Sequence, residues 1–126
     1  GGCSCKIPYQ WAIDQGFEKI VVIKTRHADY RKNLKKASET SLAHRIYHTY
    51  PEFAHVLEQS DAAYNHQCDE LEQLAKAGRI YLVSPSVPMR ISRLEKDMEK
   101  LGHLYARGYK DAKDQMEQLK AYLEMK

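Results

Sequence analysis

The spacing of apolar positions changes along this chain, and each change marks an element. Near the start, Tyr9, Ala12, Ile13 and Phe17 fall on one short helical stripe behind Pro8. Proline suits a first helical turn, because its missing N–H would have no partner there. Gly16 ends that helix. Lys19 to Lys24 then runs Lys-Ile-Val-Val-Ile-Lys, without polar alternation at its centre. That pattern predicts a strand covered on both faces, as in a parallel sheet. Ser38 or Thr40 is placed to cap a helix carrying Leu42, Ala43, Ile46 and Tyr47. Pro51 opens a longer helix, with Phe53, Val56, Leu57, Ala63, Tyr64, Leu71, Leu74 and Ala75 at helical spacing until Gly78. Arg79 to Ser84 is a second apolar strand, closed by Pro85, and Pro88 keeps the next segment extended. Ser92-Arg93-Leu94-Glu95 has the form of a capping box. It predicts a helix from there, with Leu94, Met98, Leu101 and Tyr105 as a buried stripe and an interruption at Gly108. A last helix carries Ala112, Met116, Leu119, Tyr122 and Leu123 on one side.

Helices alternating with two apolar strands predict an α/β fold. Two parallel strands joined by a helical crossover cannot cover their own faces and edges. The expected partner is therefore a second copy of the chain or polypeptide preceding Gly1. The pair Gly1 and Gly2, just before a proline-started helix, reads as a backbone device that places something upstream. The chain divides into residues 1–26 (loop, helix and strand), 27–78 (basic connection and helical crossover) and 79–126 (second strand and a C-terminal helix pair).

Its 126 residues suffice for one domain, and a formal net charge of +3 is too modest to argue for nucleic acid. No apolar run approaches the length of a membrane span. Cys3, Cys5 and Cys68 do not form a disulfide framework, so a reducing cytoplasm is the default. The basic stretch Arg26, Arg31, Lys32, Lys35 and Lys36 is opposed only by Asp29. It reads as a solvated connection, or as a contact for an anionic headgroup or phosphate with peripheral membrane association.

Most chemical motifs are missing from these residues: no G-x-S-x-G elbow, phosphate loop or dinucleotide fingerprint occurs. His44 and His48 stand four apart, but Arg45 follows His44 where a zinc-protease helix carries its acid. They read as surface or capping histidines, and Cys3 and Cys5 as small buried thiols, with no metal and no cofactor expected.

The run Gly-Gly-Cys-Ser-Cys-Lys-Ile-Pro, then a helix, then Lys-Ile-Val-Val-Ile-Lys-Thr-Arg, resembles the bacterial branch of the patatin-like phospholipases. In that family an Asp-Gly-Gly or Asp-Gly-Ala motif supplies the catalytic aspartate. Gly1 and Gly2 match the residues after it, Pro8 the proline that starts the next helix, and Ile20 to Arg26 the strand ending in Thr-Arg. Tyr30-Arg31-Lys32, Arg79 to Pro85, and Leu101 with Tyr105 to Tyr109 are similar to later family segments. Cys5 stands where bacterial relatives often carry an acidic or amide residue. The resemblance implies the C-terminal part of a three-layer α/β/α, lysophospholipase-like fold. It also implies a serine–aspartate dyad acting on lipid esters, with both catalytic residues before Gly1, none in this chain, and Gly1, Gly2 and Pro8 supporting the aspartate loop. On that reading this chain alone is inactive and its partner is the N-terminal portion of the same protein. The rival expectation is a stand-alone α/β module, its leading glycines a cloning remnant, binding a protein or an anionic surface through residues 26–36.

Overall fold

The computed structural model describes residues 2, 5–34, 37–89, 91–92 and 94–125, without the side chains of 37–41. In chain order it contains α1 (Tyr9–Asp14), β1 (Val21–Ile23), α2 (Ala37–Ile46), α3 (Pro51–Lys76), β2 (Tyr81–Val83), α4 (Met98–Asp114) and α5 (Met116–Glu124). The fold is mixed α/β, with five helices and two parallel strands among the described residues.

Proline and glycine set the boundaries. Pro8 occupies the N-cap of α1 and Pro51 the first turn of α3. Gly16 and Gly78 follow α1 and α3 with φ of 79° and 72°, a left-handed conformation that favours glycine. Both strands are shorter than their apolar runs. Val21 pairs with Tyr81, Val22 with Leu82 and Ile23 with Val83.

The core lies on one face of this sheet. Tyr9 of α1, Ile20, Val22, Leu71 of α3 and Ile80 form one buried cluster, flanked by Ala12, Ile13, Leu74, Ala75 and Leu82. The opposite face, Tyr81 and Val83 with Val21 and Ile23, looks toward α5. There Tyr122 is buried and its ring lies 5.7 Å from that of Tyr81. This cover is incomplete, for Ile23 is 75 % exposed. The expected two-sided burial of β1 is thus corrected: its residues alternate exposed, buried, exposed. The helices that pack here cover one side of β1 and lean mainly on β2 on the other.

Three further expectations change. The helix expected from Ser92 begins at Met98, because the Asp97 carboxylate accepts from the N–H groups of Glu99 (3.0 Å) and Lys100 (3.2 Å) and takes the N-cap. Glu95 instead accepts from Lys96 and Asp97 N–H, and Arg93 of the expected box lies outside the described residues. Gly108 does not interrupt α4, which runs on to Asp114. Leu94, Met98 and Tyr105, expected to be buried, are exposed, and α4 buries no residue. An amphipathic stripe specifies a face, and in this fold α4 turns most of that face outward, with Leu101 half-buried. The caps expected at Ser38 and Thr40 fall outside the described side chains.

Candidate functional site

The sequence points to the loop before α1 and to the basic stretch after β1, and the parallel sheet brings both toward one edge. Tyr81 N–H donates to Ile20 O (2.9 Å) and Lys24 N–H donates to Val83 O (2.7 Å). Residues 20, 22 and 24 therefore bond to β2, and the backbone groups of Val21 and Ile23 point to the other side. Among the described residues no strand pairs with that edge. An open groove of about 490 Å³ runs along it, walled by Pro8, Trp11 and Ala12 from α1, by Val21 and Ile23 from β1, and by Tyr64 from α3.

Lys24 closes the carboxyl end of β1 and also lines this groove. It is 6 % exposed, and among the described residues its ammonium donates a long 3.4 Å bond to Ala28 O. Beside it Lys6 Nζ donates to Ser60 Oγ (2.8 Å) and to Asp61 Oδ1 (3.1 Å), while Lys32 Nζ donates to the same Asp61 oxygen at 2.6 Å. The Lys32 bond, aided by that of Lys6, holds the Asp61 carboxyl below the usual carboxylate range. Burial pushes the Lys6 ammonium below its ordinary value. Burial opposes the Lys32 charge too, but its bond to Asp61 prevails and raises it. Burial pushes the Tyr64 phenol up to about 12, helped by its contact with Cys68. Tyr9 is raised by burial and by its hydrogen bond to Glu70.

Among the described residues of the basic stretch, Arg31 and Lys32 are paired and do not present a free cationic surface. Arg31 donates from Nε (3.0 Å) and Nη2 (2.6 Å) to Asp69, from Nη2 to Glu72 (2.7 Å), and from Nη1 to the carbonyl of Ala28 (2.8 Å). The Lys32 backbone is clamped by Asn65, which accepts from its N–H (2.7 Å) and donates to its carbonyl (2.9 Å). Arg26 lies 5.0 Å from the centre of the Tyr30 ring, which meets Tyr64 edge-on at 6.2 Å. Lys35 and Lys36 lie outside the described residues. The partners were present in the sequence: Asp61, Asn65, Asp69 and Glu72 recur on one helical stripe opposite the basic run.

Gly2 sits in an exposed turn with φ outside the left-handed region and open space around it. Gly1, Cys3 and Ser4 lie outside the described residues. Cys68 is buried, but Cys5 is exposed beside the Gln67 amide, 3.6 Å away, which corrects the expectation of a buried thiol. His44 Nε2 lies 3.0 Å from Glu58. Among the described residues no three His, Cys, Asp or Glu side chains gather at metal-binding distance. No described helix is long and apolar enough to cross a membrane.

The family described as Domain of unknown function (DUF6363) matches residues 50–124, more than half of the chain. The chain belongs to that family. Comparison with curated proteins and with solved structures returns no match. The DUF6363 match takes in α3, β2, α4 and α5 and leaves out α1, β1 and α2. The sheet thus joins one strand inside the DUF6363 match to one outside it.

Proposed function

We propose that this chain is the C-terminal portion of a patatin-like serine acyl-ester hydrolase, a phospholipase, lysophospholipase or esterase, whose serine and aspartate precede Gly1. The observation that carries the reading is the open edge of β1 beneath α1. A helix that leads into a parallel strand is the second half of a strand–helix–strand unit, and its first strand belongs beside the strand it leads to. The groove bounded by α1 and by the unpaired backbone of Val21 and Ile23 is the seat for such a strand. A strand seated there ends where the residues before α1 begin, so the residue preceding Gly1 stands at the carboxyl end of the sheet. Sites of open α/β sheets gather at that end.

In this reading the chain contributes position and no chemistry. Pro8 fixes where the loop enters α1, and the pairing of β1 with β2 anchors the far end of the unit. The aspartate takes the proton of the serine that attacks the ester carbonyl, and backbone N–H groups hold the oxyanion. The rival reading, an anion-binding module acting through residues 26–36, draws less support, because Arg31 and Lys32 are neutralised by Asp61, Asp69 and Glu72.

The test is the longer protein. Its sequence is expected to carry a G-x-S-x-G motif upstream and an aspartate immediately before Gly1. Replacing that aspartate by asparagine should lower turnover of a short-chain ester by ~10²–10⁴-fold with the fold intact. A different residue at that position, or unchanged turnover, overturns the proposal.

A further inference from the structure

Lys24 is the one buried charged side chain among the described residues. An ammonium carries three donors, and here its described bond is the long one to the Ala28 carbonyl. A charge withdrawn from water is costly unless a group of opposite sign meets it. The carboxylates of the neighbouring elements are committed elsewhere. Asp61 of α3 is taken by Lys6 and Lys32, Asp29 of the loop faces solvent beside His27, and Glu70 accepts from Tyr9.

The groove beside β1 has room for the missing charge. Among the described residues, the charged side chains in its wall are Lys6 and Lys24, and no carboxylate lines it. The rest of the wall is apolar or aromatic, apart from Thr25. Lys6 is satisfied by Ser60 and Asp61, which leaves the charge of Lys24 facing the groove unmet. Two features point to polypeptide as the occupant. The backbone groups of Val21 and Ile23 face this side, and among the described residues no strand pairs with them. A main chain satisfies such groups, whereas hydrocarbon does not. Lys6, Ile7 and Pro8, which lead into α1, line the same groove, so the chain approaching α1 passes along it.

We infer that Lys24 anchors a carboxylate, of Asp or Glu, carried by a strand that precedes Gly1 and lies parallel along the free edge of β1. This rests on the reading of the chain as the C-terminal part of a longer protein, and adds what that strand must carry. Neighbouring side chains on one face of a parallel pair stand side by side. Ile20, Val22 and Lys24 share the buried face of β1. The strand therefore sets apolar residues beside Ile20 and Val22 and its acid near its carboxyl end, beside Lys24. The pair also fixes the register, because a slip of one residue turns the acid to the opposite face and strands the ammonium. This acid is distinct from the aspartate that serves the serine, since a base held by a lysine loses basicity.

The test is urea unfolding of Lys24→Met and Lys24→Arg, in this chain and in the longer protein. Methionine keeps the length of the side chain and removes its charge. In this chain Lys24→Met should leave the midpoint unchanged or raise it, because no partner is stranded. In the longer protein it should lower the folding equilibrium constant at least about tenfold, and Lys24→Arg, which keeps the charge, should lose less. An acidic residue, other than the one immediately before Gly1, is expected within about ten residues upstream. Its amide variant should lose as much as Lys24→Met, with no further loss when the two are combined. An unchanged midpoint for Lys24→Met in the longer protein, an equal loss in this chain, no acid in that stretch, or additive losses overturns the inference. Self-association of this chain that Lys24→Met abolishes overturns it in favour of a second copy. Ester turnover is not the readout, so the two proposals fail separately. Coupling in a protein without the serine keeps the ion pair and removes the hydrolase, and an active hydrolase without coupling does the reverse.

Discussion

The hydroxyl of Tyr122 accepts a hydrogen bond from Ile20 N–H at 3.0 Å, across 102 residues of chain. The same oxygen lies 3.1 Å from the carbonyl of Arg79. One side chain of α5 therefore fastens the entrances of both strands. Tyr122→Phe keeps the ring and strands the buried Ile20 N–H. It should cost about 1–3 kcal/mol of stability, read as a lowered midpoint in urea with an unchanged slope.

Asp61 gathers two lysines on one oxygen, and its folded-state pKa is depressed, chiefly by the Lys32 bond. The unfolded chain then binds a proton more readily than the folded one. The stabilisation is fully present above the ordinary carboxylate value of 3.8 and is lost as pH falls through the lower folded value. Asp61→Asn should lower stability at neutral pH and flatten the acid limb of the stability curve. Urea titrations at neutral pH and near pH 3 check this; an equal loss at both would show that Asp61 acts only by packing.

The two kinds of glycine in this chain should respond oppositely to alanine. Gly108 lies inside α4 with open space where a Cβ would sit. Gly108→Ala should stabilise by about 0.5–1 kcal/mol. Gly78 has φ of 72°, so Gly78→Ala should destabilise by ~1 kcal/mol or more. Thermal midpoints of the two variants, shifted in opposite directions, are the expected result.

Burial separates two leucines that the sequence treats alike. Leu71 is fully buried between α3 and the sheet, whereas Leu94 stands in solvent. Leu71→Ala should cost about 2–5 kcal/mol and Leu94→Ala under ~0.5 kcal/mol. A large loss from Leu94→Ala would mean that its stripe is covered in solution.

The contrast between Leu71 and Leu94 also shows what the sequence could reveal. Pro8, Gly16, Pro51 and Gly78 were legible as boundaries because each acts on its own backbone dihedral, a local property. The apolar runs were legible as strands for the same reason. The burial of a stripe is not local. Leu94, Met98, Leu101 and Tyr105 have helical spacing, but no periodicity says which surface of the fold a helix presents. The helix start failed differently: Ser92 and Asp97 are both cap residues, and the carboxylate that reaches two N–H groups prevailed. In the candidate site the basic residues after β1 were visible, but their pairing was not. It depends on α3 lying antiparallel to the strands and laying Asp61, Asn65, Asp69 and Glu72 along the loop.

The bond between Ile20 and Tyr122 bears on the order in which the chain assembles. Helices form from neighbours in sequence, whereas β1 must find β2 about 60 residues on and Ile20 must find Tyr122 across 102 residues. Closing such loops lowers chain entropy before any contact offsets the loss, so distant pairings come late. α3 can form early and bring Gly78 back beside β1, after which the strands pair. Until α5 arrives, the amide of Ile20 and the outer face of the sheet stay wet. A chain released in stages would therefore leave this sheet at its most vulnerable until the nine-residue helix α5 is complete.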